Sequence, residues 1–177
     1  MRRIRGILSA LVLLMTGREA FAEIMKVDGA DAHVVPGRIE APAFHRFFDS
    51  DEAHQGNCGT GPVDAEPNTD PSGGGACTIA YTAQGEWLEY DIYAKSKAMY
   101  AFKLRVAGQL PDTRFHVELD GFNISGAVPG PQAGWAAWDD RIIENVFMAC
   151  GKHRLRVFLE KGSVNFNYMD FWIKKEL

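Results

Sequence analysis

Beyond residue 22 the apolar side chains of this chain fall at every second position in short runs, and no segment keeps a 3.6-residue period. Such alternation sets one face of an extended strand against a core and the other toward water, which constrains the chain to sheet rather than helix. The runs are "HVVPGRIEAPAF" (broken at Pro36), "CTIAYT", "EWLEYDIYA", "MYAFKLRVAG", "RFHVELDGFNI", "RIIENVFMA", "HRLRVFLEK" and "VNFNYMDFWIK". About eight or nine short strands so spaced predict an all-β fold, a two-sheet β-sandwich. The Cys…Trp…Cys spacing of immunoglobulin domains is missing. Jelly-roll topology is therefore favoured over the immunoglobulin arrangement.

The first residues stand outside that pattern. "MRRIRGILSALVLLMTGREAFA" has a basic start, an apolar run from Ile7 to Met15 and Ala20-Phe21-Ala22. It reads as a secretory signal peptide, residues 1–22, cleaved after Ala22. The apolar run is shorter than the roughly 20 residues a bilayer span needs, and no later segment is long enough. The expected product is a secreted or periplasmic single domain, residues 23–177, with no linker or internal repeat. It keeps 15 basic and 22 acidic side chains, a net charge of about −7. An acidic domain with no basic stripe is a poor partner for nucleic acid or an anionic membrane surface, so neutral or cationic ligands are expected.

Cys58, Cys77 and Cys150 would sit in a compartment where disulfides persist. One bond and one spare thiol is the simplest count, with Cys58–Cys77 and Cys77–Cys150 both open. The gap from Asp49 to Ser72 is rich in turn formers and poor in apolar residues. It reads as an ordered functional loop stapled by cysteine.

The glycines of "GGGACTIAYTAQGEWLEY" (Gly73–Tyr90) follow a loop and lead into a strand, with no Lys and no helix behind them. They read as a tight turn rather than a phosphate cradle. In the strand that follows, Thr78, Ala80 and Thr82 are expected on one face and Ile79 and Tyr81 on the other. Trp135 and Trp138 of "PQAGWAAWDDR" fall in a Gly/Pro-bounded loop before a strand near Arg141, one expected buried and the other exposed as a binding signal. Alternation sets Asn165 and Asn167 on one face of the last strand and Phe166 and Tyr168 on the other. Two neighbouring amides belong on a solvent face or in a polar cleft that recognises hydroxyls. Catalysis is not expected: Glu86 and Glu89 lie on opposite faces by parity, Asp139 and Asp140 read as turn acids, and no GxSxG element is present.

The order "RIEAPAF", "GGGACTIAYTAQGEWLEYDI", "FKLRVAG", "FHVELDG", "GWAAWDDR", "GKHRLRVFLEKG", "VNFNYMDF" resembles a family 6 carbohydrate-binding module over about Arg38 to Trp172. That resemblance implies a jelly-roll sandwich whose loop-end cleft grips a sugar between two aromatics. Tyr81 and Trp135 match the aromatics, Asn165 matches the amide that completes the polar contacts, and Asp64 and Glu66 lie near an acidic hydroxyl acceptor. It also implies a structural calcium ion held by carboxylates: Glu40 and Asp170 match, whereas Pro42 stands where the family has a second Glu. The implied partner is a polysaccharide, a β-linked glucan, xylan or agar-like chain, bound by a non-catalytic monomer. A protein or cell-envelope partner on the same face is the alternative, and a glycoside hydrolase a distant third.

Overall fold

The computed structural model describes residues 24–27, 30–50, 55–59 and 61–177. The expected signal peptide and its cleavage point lie outside them. Among the described residues there are fourteen strands: β1 (Ile24–Val27), β2 (Ala30–Val35), β3 (Gly37–Glu40), β4 (Arg46–Phe48), β5 (Ala65–Pro67), β6 (Cys77–Ile79), β7 (Trp87–Ala94), β8 (Ala98–Gly108), β9 (Arg114–Leu119), β10 (Phe122–Asn123), β11 (Val128–Pro129), β12 (Gly134–Met148), β13 (Gly151–Lys161) and β14 (Asn165–Glu176). They form two sheets, β1-β2-β7-β13-β9-β10 with β4 beside β7 and β11 beside β9, and β12-β8-β14-β6-β5 with β3 beside β14. The fold is a β-sandwich of the jelly-roll type, and the long strands coincide with the alternating runs.

Alternation builds the core. Leu88, Tyr90 and Ile92 of β7, Phe115 and Val117 of β9, and Leu155 and Val157 of β13 point inward from the first sheet. Tyr100, Phe102, Leu104 and Val106 of β8 and Phe166, Met169 and Phe171 of β14 meet them from the second. Phe115 and Phe166 join the sheets edge to face at 5.4 Å. Each such side chain contributes about 1.5–3 kcal/mol by leaving water.

Strict parity fails at several places, and two of the breaks bear on the loop end. In β14, Phe166 pairs with Val106, but Tyr168 pairs with Arg105, so Asn167 is bulged out of register. Phe166 therefore stays in the core while Tyr168 turns to the outer face, where the Arg38 guanidinium lies 3.6 Å from its ring centre. The expectation that these two aromatics share a face is corrected by that extra residue. The second break is at Tyr81. β6 ends at Ile79, and Tyr81 takes φ 55°, the left-handed region, so it leaves the face of Ile79 and stands exposed.

Candidate functional site

Tyr81 projects from the loop end because its backbone is held in a conformation that a bulky residue rarely adopts, at a strain of order 1 kcal/mol. Its surroundings maintain it. Ala80 N–H donates to Asp64 O at 3.1 Å, and Thr82 Oγ1 both donates to Val164 O (2.8 Å) and accepts from Val164 N–H (2.9 Å), tying the segment to the start of β14. Behind the ring lies Gly56, at φ 77°, where a Cβ would collide with Ala65 O and sit 3.3 Å from Tyr81 Cε2. The segment carrying Gly56 is fixed by the Cys58–Cys77 disulfide, one of the two pairings left open by sequence. Cys150 is the exposed free thiol.

Trp135 comes from the far side. β12 already begins at Gly134, but its pairing with β8 jumps from Gly134↔Gly108 to Asp139↔Val106, and the extra residues carry both tryptophans outward. Trp135 is 37% exposed. Trp138 is half-buried, its Nε1 donating to Thr69 Oγ1 at 3.3 Å, so neither indole enters the core, contrary to the expectation of one buried.

Tyr81 and Trp135 line one cleft of about 390 Å³, with Leu110 as a further apolar wall. That volume suits a small ligand or a short stretch of a longer one. Its polar floor is Asn165 and Glu66. Asn165 Nδ2 donates to Glu66 Oε1 at 2.7 Å and to Trp135 O at 3.2 Å. Glu66 is placed by the β5–β6 pairing opposite Thr78. Burial raises its pKa above the ordinary carboxylate value, and the bond from Asn165 offsets part of that rise. Asp64 does not line the cleft: its carboxylate accepts Gln55 N–H at 2.5 Å, so it fixes the loop beside the cleft. Gln55 and Leu110 join the cleft without a distinctive sequence signal, being brought there by loops.

The other expected amide does different work. Asn167 is fully buried beneath the glycine run, donating to Asp70 Oδ2 (2.9 Å) and Gly73 O (2.8 Å). Gly74, at φ 112°, closes over it where any side chain would strike its amide. The three glycines are thus a lid on a buried amide, neither a phosphate cradle nor a plain turn. Asp70 in turn holds Arg105 through two bonds of 2.8 and 3.0 Å. Burial alone would raise the Asp70 pKa, but Arg105, Ser72 N–H and Asn167 outweigh it and bring it down to about 2.

The residues expected to hold calcium do not fit it. A calcium ion needs six to eight oxygens, several of them anionic. Asp170 has both oxygens engaged by Arg38 at 2.7 and 2.8 Å, with Lys103 at 3.9 Å, and Glu40 accepts Gly75 N–H at 2.8 Å. Among the described residues no group of three or more His, Cys, Asp or Glu side chains could hold a metal ion. Fixed cations of the protein occupy Asp170, and a backbone N–H is bound to Glu40.

Glu86 and Glu89 are likewise committed to structure. Glu86 accepts Ser50 N–H and Oγ and Ala83 N–H, and Glu89, 2% exposed, is ringed by Arg46, Arg154 and Arg156. The arginines belong to a larger hollow of about 570 Å³ on the outer face of the first sheet, lined by charges that pair with one another.

A jelly-roll sandwich with an aromatic-walled cleft at its loop end defines a ligand-binding β-sandwich module. The chain belongs to carbohydrate binding module family 6, whose profile matches residues 52–174. Solved structures of similar fold include the C-terminal family 6 module of the marine laminarinase LamC from Zobellia galactanivorans, 23% identical with a TM-score of 0.57 over 76% of this chain and 96% of that one. A β-1,3-glucan-binding family 6 module from Bacillus halodurans is 22% identical, with a TM-score of 0.60 over 80% and 98%. A family 6 module from Clostridium stercorarium, solved with cellobiose, is 20% identical, with a TM-score of 0.59 over 81% and 98%. A search of curated proteins finds no match.

Proposed function

We propose that this protein is a secreted, non-catalytic polysaccharide-binding module that grips a β-linked glucan, xylan or agar-like chain between Tyr81 and Trp135. The observation that carries this reading is the meeting of two exposed aromatics with the Asn165–Glu66 pair in one cleft. A pyranose has a C–H-rich face that rigid aromatics cover with little loss of entropy, and a rim of hydroxyls for the polar floor. Small clefts of this kind bind at roughly −4 to −7 kcal/mol, about millimolar to ten micromolar. Affinity electrophoresis against a panel of soluble glycans, with pull-down on insoluble ones, is the test. Retardation by at least one glycan, abolished in Tyr81→Ala and Trp135→Ala, is expected. Absence of binding across the panel, or unchanged binding by both variants, would contradict it and leave a protein or cell-envelope partner for the same face.

A further inference from the structure

Beside the Gln55, Thr82 and Ser163 side chains that also line the cleft, the Glu66–Asn165 pair has a one-sided hydrogen-bonding capacity. Both N–H groups of Asn165 are directed at protein acceptors, Glu66 Oε1 and Trp135 O, which also fixes the orientation of the amide. No described residue donates to Asn165 Oδ1, and Asn165 alone donates to the Glu66 carboxylate. What this pair offers a ligand is therefore acceptors, one of them anionic. Among the described residues that line the cleft there is no Lys, Arg or His, so none of them compensates the charge of Glu66. The carboxylate is partly buried, and such a group interacts with a nearby charge more strongly than one in open water.

We propose that the Glu66–Asn165 pair ranks sugars by charge, so that the cleft takes amino-sugar chains with a free ammonium ahead of neutral chains, and uronate chains last. The proposal rests on the glycan-binding reading of the same cleft and names the substrate class within it. A neutral sugar reaches the floor by donating hydroxyl hydrogens. A protonated 2-amino sugar donates as well and adds charge to the bond, which makes such a bond roughly twice as strong. A sugar carboxylate brings acceptors to acceptors and a negative charge to Glu66. Amide–hydroxyl recognition alone would not distinguish the three classes.

Calorimetric titration of the wild-type protein with length-matched oligomers of glucosamine, N-acetylglucosamine, glucose and glucuronate tests this, run at low salt and at a pH where the free amine is protonated. The expected order places glucosamine oligomers about tenfold tighter than glucose oligomers and uronate oligomers weakest, with the uncharged N-acetyl oligomers ranking with the neutral chains. In Glu66→Gln the ammonium advantage should vanish. In the wild type, with no substitution, it should shrink as pH falls into the range where Glu66 takes up a proton. Equal affinity for glucosamine and glucose oligomers, or tightest binding of the uronate, overturns the proposal. So does an ammonium preference that survives in Glu66→Gln and at low pH, because the acidic surface as a whole would then be responsible. Binding of no oligomer in any class would instead bring down the glycan-binding reading itself.

Discussion

Asn165 and Asn167 stand two residues apart on one strand, each bonded to a carboxylate, and their surroundings give them opposite properties. The Asn167–Asp70 pair is roofed by Gly73–Gly75 and neutralised by Arg105, and its carboxylate is held down at about pH 2. The Asn165–Glu66 pair has no described cation beside it, opens into a cleft with two exposed aromatics, and its carboxylate is pushed upward. The first pair is satisfied and supports the fold. The second is left with unfilled acceptors, which is what a binding site requires and a stable core does not.

The largest expected effect breaks the satisfied pair. Arg105→Ala leaves the fully buried Asp70 carboxylate without its cation and should lower stability by about 3 kcal/mol, a fall in melting temperature of about 6–12 °C read by calorimetry. Next comes the staple behind Tyr81. Replacing Cys58 and Cys77 by Ala should lower stability by about 2–3 kcal/mol and also weaken glycan binding, because Gly56 no longer backs the aromatic ring. Loss of stability with full affinity would detach the disulfide from the site.

Acidification should separate the two pairs by sign. Asp70 has a folded pKa below its unfolded value near 3.9, so its contribution is full above that value and is lost as pH falls toward about 2, a change of about 2 kcal/mol in denaturant-measured stability. Glu66 has a raised folded pKa, so its charge opposes folding at neutral pH and that penalty disappears as pH falls through the folded value. Glu66→Gln should therefore flatten the part of the profile above pH 4 without altering the part below it. The smallest effect is at the strained wall: Tyr81→Gly relieves a φ of 55° and should stabilise the fold by about 0.5–1 kcal/mol while binding is lost.

The two pairs were unequally legible in the sequence. Alternation identified the sheets and the core because period two is a local property, and the motif order led to Tyr81, Trp135 and Asn165, all three now found in one cleft. The roles of the two asparagines could not be separated, because a β-bulge is a difference of one residue in pairing with β8, and nothing local in "VNFNYMDF" announces it. Asp64 and Glu66 looked equivalent two positions apart. One faces the loop backbone and the other the cleft because β5 starts at Ala65, between them. The match of Glu40 and Asp170 to a calcium site was a match of residue type alone. Arg38, two residues before Glu40, reaches across to Asp170, a contact between residues 132 positions apart.

The side-chain amides themselves report on the central claim. In a ¹⁵N-labelled sample titrated with an oligosaccharide retarded in affinity electrophoresis, the Asn165 NH₂ resonances and the Trp135 indole should shift with a common saturation curve while those of Asn167 stay fixed. Shifts confined to Arg46, Arg154 and Arg156 on the outer face of the first sheet, with Asn165 and Trp135 unmoved, would contradict the assignment of the loop-end cleft as the glycan site.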